Sequence, residues 1–480
     1  MKRIAYASPL NPAASGISDY SEELLPYLAR YAEVTPYVAD GLRPSNAALL
    51  RHMDVRPLSR LARDQRRKPY DAIIYHIGNS VENHAAIWDV LQRVPGVVVL
   101  HEFVLHHFML GYAAVTRRDT QLYRAEAVQR YGPEGARVAE LMLHGRLTEA
   151  AFDMPFCEQV LDAAEGVIAH SRYVLDRVAA LRPNLSAALA PMGVPLPPAI
   201  SREDARARLG LPPDALILAS FGHINPYKRA EAVLRAVKAL RASQPDLRYL
   251  LVGSISPSYD VRAAIARAGL EDSVTVTGYV DRAAFEDYVA AADICLNLRH
   301  PTAGETSASL LRLLGAGKPT LVSASGSFAE LPPGVAAQVD LDASEGDLIL
   351  EYCRLLSTRP DLAAAMGAHA RAYVARDHTL DGAAASYMRF LAARYGWGAT
   401  PPLRAAPLWE PGAENQELST KHQAPRQDVG DPAIAAHSQF SILNSQLASV
   451  LAGLGVTEDD RPLLGGVAQA INELGMDDQE

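Results

Sequence analysis

Two series of short apolar runs, divided by one proline-rich segment, set the strongest limit on what this chain can fold into. The first series comprises Arg3–Ala7, 71–76, 96–101 and 166–171. The second comprises 215–223, 247–253, Val274–Gly278, 294–298 and 319–323. Such runs, without polar alternation, suit strands buried on both faces, as in a parallel sheet. Helical patterns lie between them, including 17–31, 228–240 and Arg282–Ala291, and 103–163 is helical in character. In 17–31 the apolar Leu24, Leu25 and Leu28 share one side. The divider, 191–198, holds four prolines and a glycine and reads as a stiff connection between domains.

Strands alternating with helices on both sides of a divider predict an α/β protein of two doubly wound, Rossmann-like domains. The expected spans are 1–195 and 196–378, followed by a long helix at 379–398, a polar, proline-containing linker at 399–436 and a helical tail at 437–480. In the tail, Phe440, Leu443, Leu447, Val450, Leu451 and Leu454 recur at helical spacing. That face is expected to dock on a partner protomer, giving a homo-oligomer, and truncation after Gly398 is expected to leave the two domains folded. Ligands of doubly wound sheets bind beyond the carboxyl ends of the strands. Two facing domains therefore predict a cleft lined by those ends.

Composition narrows the function. With 480 residues, 21% charged and net −9, the chain shows no basic face of the kind nucleic acid requires. Three widely spaced cysteines, Cys157, Cys295 and Cys353, fit neither a metal motif nor a disulfide framework. The start, MKRIAYASPL, reads as a first strand, since its apolar run is too short for a signal peptide. No run of about 18 apolar residues occurs. A cytoplasmic protein with at most peripheral membrane contact is expected.

Chemistry-bearing residues gather at strand ends. The loop SPLNPAASG follows the first strand and opens a helix, where Gly16 allows close backbone approach and free N–H groups favour an anion. Ser18 or Asp19 is the expected cap there. The loop lacks GxGxxG, so a nicotinamide dinucleotide is disfavoured. His76, Asn79 and His101 end two apolar strands, where they can contact a sugar hydroxyl or developing charge. His101, Glu102 and His106 resemble HExxH but are spaced i, i+5, which excludes a zinc site on one helix face. In 222–229, Lys228 and Arg229 are expected to begin a helix. Their charges oppose its dipole, a cost that a bound diphosphate would offset. Finally, 299–319 holds an acid, Glu305, with Thr306, Ser307 and Ser309 at the start of an apolar helix. Such a start can hold a phosphate while the acid takes a sugar hydroxyl, or Glu305 can simply stabilise the first turn.

Taken in order, SGISDYS, IGNS, VVVLHEFVLHH, AHSRYV, SFGHINPYKR and RHPTAGETS…GKP…GSFAELP resemble the retaining nucleotide-sugar glycosyltransferases of the group-1 family (family four), which have the GT-B fold. The resemblance covers about residues 2–395. It implies an acceptor site in the first domain, a nucleotide-sugar donor in the second, and a last helix crossing back to the first. Lys228 matches the family's diphosphate-binding lysine, with His223, Asn225, Arg229, Thr306 and Ser307 beside the donor. Gly16 matches the glycine near the diphosphate, and His101 a histidine near the reacting sugar. Glu305 resembles the first acid of the family's Glu-x7-Glu pair. The sequence departs at the second: alignment on Gly317-x-Pro319 places Arg312 there, and Gly304 at the first. The resemblance therefore implies hexose transfer from a nucleotide sugar to a sugar or other hydroxyl acceptor, for cell-surface polysaccharide or glycoconjugate synthesis. It also implies no resident cofactor and no metal. A sugar-nucleotide 2-epimerase and a non-catalytic sugar-binding subunit are the alternatives.

Overall fold

A computed structural model describes residues 1–403 apart from 147, 257 and 258. The expected linker beyond 403 and the tail at 437–480, with its apolar face, lie outside the described residues.

Seven parallel strands form the first sheet: β1 (Arg3–Ala7), β2 (Glu33–Val38), β3 (Arg56–Pro57), β4 (Ala72–Ile77), β5 (Val97–Leu100), β6 (Gly166–Ala169) and β7 (Ala187–Leu189). Their order is β3-β2-β1-β4-β5-β6-β7. The second sheet comprises β8 (Ile217–Phe221), β9 (Arg248–Val252), β10 (Val274–Gly278), β11 (Ile294–Asn297), β12 (Thr320–Ser323) and β13 (Ala337–Val339), in the order β10-β9-β8-β11-β12-β13. Each apolar run expected to be a strand is one. The strands that the sequence does not mark are β2, which contains Pro36, and β3, β7 and β13, of two or three residues each. Short edge strands bury little, so their composition carries little signal.

The apolar character of the central strands follows from cover on both faces. Ala5, Ile73, Tyr75 and Val98 face one core of the first sheet, and Ile4, Tyr6, Ile74 and Val97 face the other. Leu24, Leu25 and Leu28 of the helix Gly16–Leu28 are fully buried in the second of these cores, beside Tyr387, Met388 and Leu391. These last three belong to the helix Leu380–Arg394, which packs on the first sheet. The Tyr20 and Tyr387 hydroxyls lie 3.2 Å apart, and the Tyr395 hydroxyl donates to Glu165 Oε2 at 2.6 Å. The same core takes in Leu310, Leu311 and Leu314, so apolar packing is continuous from one domain to the other.

The proline-rich segment is packed down. Met192 and Val194 are buried, and the Val194 N–H donates to the His378 carbonyl at 2.9 Å. All three cysteines are buried and unbonded. Among the described residues, no helix is long and apolar enough to cross a membrane.

Candidate functional site

In each sheet the strand order reverses beside the first strand, between β1 and β4 and between β8 and β11. A crevice opens there because successive crossovers turn to opposite faces. Four loops leave those strands: the Gly16 loop after β1, the Asn79 loop after β4, the Lys228 turn after β8 and the Glu305 loop after β11. His101 follows β5.

The Glu305 loop links the others. Its Ala303 carbonyl accepts from the Phe103 and Val104 N–H groups at 2.8 and 2.9 Å, which fastens it to the His101 segment. The His300 N–H donates to the Tyr227 carbonyl at 2.9 Å, which fastens it to the Lys228 turn. Gly16, His101, Glu305, Thr306 and Ser307 therefore line one cavity of about 80 Å³, with Glu102 and Arg299. Gly304 permits this approach. Its φ is +87°, and a Cβ there would sit 2.9 Å from Tyr173 Cε1 and 3.1 Å from Phe103 Cβ. Gly304→Ala is expected to cost about 1–2 kcal/mol, from left-handed backbone and crowding together. Turnover should fall with it as the loop is pushed off the His101 segment. Melting temperature and turnover, measured together, check this.

Glu305 precedes the helix Ala308–Gly315, whose cap is Ser307, with Oγ accepting from the Leu310 N–H at 3.2 Å. The first-turn role for Glu305 is thus replaced by another. Its carboxylate pairs with the Arg299 guanidinium and accepts from the Thr302 hydroxyl at 2.9 Å. Burial alone would raise its pKa. Arg299, backbone N–H and Thr302 outweigh that and hold it below the ordinary glutamate value. A depressed folded-state pKa gives stability that is present above the unfolded value of about 4.3 and lost as pH falls through the lower folded value. The melting-temperature gap between the wild type and Glu305→Gln is therefore expected to close on acidification below about pH 4. A gap constant down to about pH 2 would overturn this reading.

Thr306 Oγ1 is buried, with no hydrogen-bond partner among the described residues. At the Gly16 helix the cap is Ser15, whose Oγ accepts from the Ile17 N–H at 3.1 Å, rather than Ser18 or Asp19.

Three residues expected at substrate contacts take other partners in the fold. His76 lies within β4 and is fully buried, so it cannot touch an acceptor; its Nδ1 lies 2.8 Å from His101 Nε2. Asn79 spends its Oδ1 on the Phe108 N–H at 2.9 Å and so orients the helix His106–Gly111. Arg229 has φ +57° and does not begin the helix Ala230–Leu240 in helical geometry. Its guanidinium pairs with Glu345, Nε to Oε1 at 2.7 Å, and this neutralises the charge expected for a diphosphate.

Lys228 closes the 3-10 turn Pro226–Lys228, is largely buried, and places Nζ 3.5 Å from the Phe221 carbonyl. Asn225 caps that turn, its Oδ1 accepting from the Lys228 N–H at 3.2 Å. His223 Nδ1 lies 2.9 Å from Ser254 Oγ. Arg312, at the aligned position of the family's second acid, donates to Glu23 of the first domain at 3.0 Å, and Arg282 donates to the same carboxylate at 2.5 Å. The charge at that position is thus met from across the cleft.

Two doubly wound parallel domains with switch-point loops facing one cleft define the GT-B class. Residues 201–370 match the family model for glycosyl transferases group 1. A D-inositol 3-phosphate glycosyltransferase from Streptomyces avermitilis is 29% identical over 404 residues, covering 75% of this chain and 80% of that protein. Another from Kineococcus radiotolerans is 28% identical over 319 residues, covering 60% and 68%. Among solved structures, sucrose-phosphate synthase from Thermosynechococcus elongatus superposes with a TM-score of 0.59 at 19% identity, covering 83% of this chain and 100% of that one. Anabaena HepE with UDP and glucose gives 0.57 at 16% identity, covering 82% and 100%. The match over 201–370 and these relatives support a glycosyltransferase of group-1 type, an enzyme that transfers a sugar from a nucleotide-sugar donor.

Proposed function

We propose that this enzyme moves a hexose from a nucleotide-sugar donor to a sugar or polyol hydroxyl with retention of configuration, in glycoconjugate or surface-polysaccharide synthesis. The observation that carries this reading is the Glu305 loop, bonded to both the His101 segment and the Lys228 turn, with an ionised carboxylate held at the cavity wall. In this reading the donor diphosphate departs toward Lys228 and the N–H groups that begin the helix Ala308–Gly315. Charge is then stabilised where it develops. The acceptor hydroxyl attacks the anomeric carbon on the face the phosphate leaves. The carbon–phosphate-oxygen bond breaks, and the departing phosphate oxygen takes the hydroxyl proton.

Lys228 and the helix N–H groups supply the neutralisation that a metal gives in other transferases. Full turnover is therefore expected in excess EDTA, and a complete loss restored by magnesium or manganese would overturn metal independence. The reaction itself is tested in two stages. A thermal-shift screen against UDP, GDP, ADP and dTDP sugars picks the donor, since a ligand that binds the folded state raises its melting temperature by mass action. Product analysis with sugar and phosphorylated polyol acceptors then follows. An α-linked product from an α-linked donor is expected, and a β-linked product would refute retention.

A further inference from the structure

Fully buried His76 has no part in the transfer as described, yet it touches the one histidine on the cavity wall. His76 Nδ1 and His101 Nε2, 2.8 Å apart, share a single proton if both rings are neutral. Burial depresses the pKa of both rings, which keeps them neutral.

Two arrangements satisfy that contact. In the first, His101 Nε2–H donates to His76 Nδ1. His76 then carries its own proton on Nε2, a nitrogen that is buried with no hydrogen-bond partner among the described residues. An orphaned buried N–H costs about 1–3 kcal/mol. In the second, His76 Nδ1–H donates to His101 Nε2. The orphaned His76 Nε2 is then a bare lone pair, and an under-satisfied acceptor is the better tolerated of the two. The neighbouring histidines already follow this pattern. His84 Nδ1 lies 3.1 Å from the His76 carbonyl and His170 Nδ1 lies 2.9 Å from the Ala190 carbonyl, so each must donate from Nδ1. In each the buried Nε2 is left without a partner among the described residues. The second arrangement places the His101 proton on Nδ1, the nitrogen not turned inward to His76.

We propose that His76 is a positioning residue that fixes His101 as the neutral Nδ1–H tautomer, so that His101 offers the cavity a hydrogen-bond donor and not a base. The proposal rests on the reading that the substrates occupy this cavity. His101 then donates to a substrate oxygen throughout the transfer, and the acceptor proton goes to the departing phosphate. The groups around His101 are His76 from β4, His170 after β6, His84 from the helix Val81–Leu91, Tyr20 from the Gly16–Leu28 helix, and Glu102 beside it in the chain. Across the cavity lie Arg299 and Glu305, whose charges offset each other.

Nitrogen NMR of the full chain labelled at histidine tests this without substrate, so its result does not depend on the transferase assignment. The His101 ring is assigned by its loss in His101→Gln. Protonated Nδ1 and bare Nε2 are expected, unchanged between about pH 5 and pH 8. A proton on Nε2, or titration of the ring in that range, overturns the proposal even if every His76 variant fails to fold. In His76→Met, which cannot donate, the fixed tautomer should be lost. Its kcat should fall about fivefold or more, with donor KM little changed. His76→Gln, whose amide can donate, should recover the signature and the rate. If His76→Met keeps both tautomer and kcat and loses only melting temperature, His76 merely fills space.

Discussion

Replacing Lys228 by alanine is expected to lower affinity for the nucleoside diphosphate and donor turnover by roughly tenfold to more than a hundredfold. That is the range for a charge-assisted contact worth about 1.5–3 kcal/mol. The side chain is buried between its 3-10 turn and the end of β8. Truncation therefore also removes packing, and some loss of melting temperature is expected. Lys228→Met separates the two effects: it keeps most of the stem and removes the charge. Calorimetric titration with the diphosphate should find Lys228→Met as weak as Lys228→Ala, with a melting temperature nearer the wild type. Wild-type affinity in Lys228→Met would place the diphosphate elsewhere, and Arg229 cannot take its place while paired with Glu345.

Glu305→Gln should lower turnover by an order of magnitude or more, since the amide neither balances positive charge at the reacting carbon nor accepts equally well at both atoms. The Arg299 pairing adds a second consequence. An amide at this position leaves the Arg299 guanidinium without its countercharge in a buried setting, which costs about 1–3 kcal/mol. Stability and turnover are therefore both expected to fall, and a single variant does not separate them. The double variant Arg299→Gln with Glu305→Gln removes the stranded charge. It should regain part of the lost stability while turnover stays low. If turnover recovers along with stability, Glu305 acts only as the partner that holds Arg299.

Strand-and-helix alternation, the two-domain architecture and the strand-end positions of Gly16, His101, Lys228 and Glu305 are legible in the amino-acid sequence. The physical reason is that burial on both faces of a parallel strand demands unbroken apolar runs, and these show in composition without knowledge of partners. Loops at strand ends are then placed by topology, so Gly16, Lys228 and Glu305 fall beside the switch points. Which partner each side chain meets there depends on contacts between distant segments. Arg299 and Glu305 are six residues apart in an irregular loop, and no helical or strand period predicts that they pair. Glu345 lies 116 residues from Arg229, and Glu23 lies 289 from Arg312, so neither ion pair has a local signature. His76 reads as a strand-end residue because its strand is apolar up to it. One further residue of pairing, through Ile77, encloses it and turns a cleft residue into the support of one. Charge pairing and enclosure depend on which segments the fold brings together in space, and a one-dimensional pattern carries no record of that.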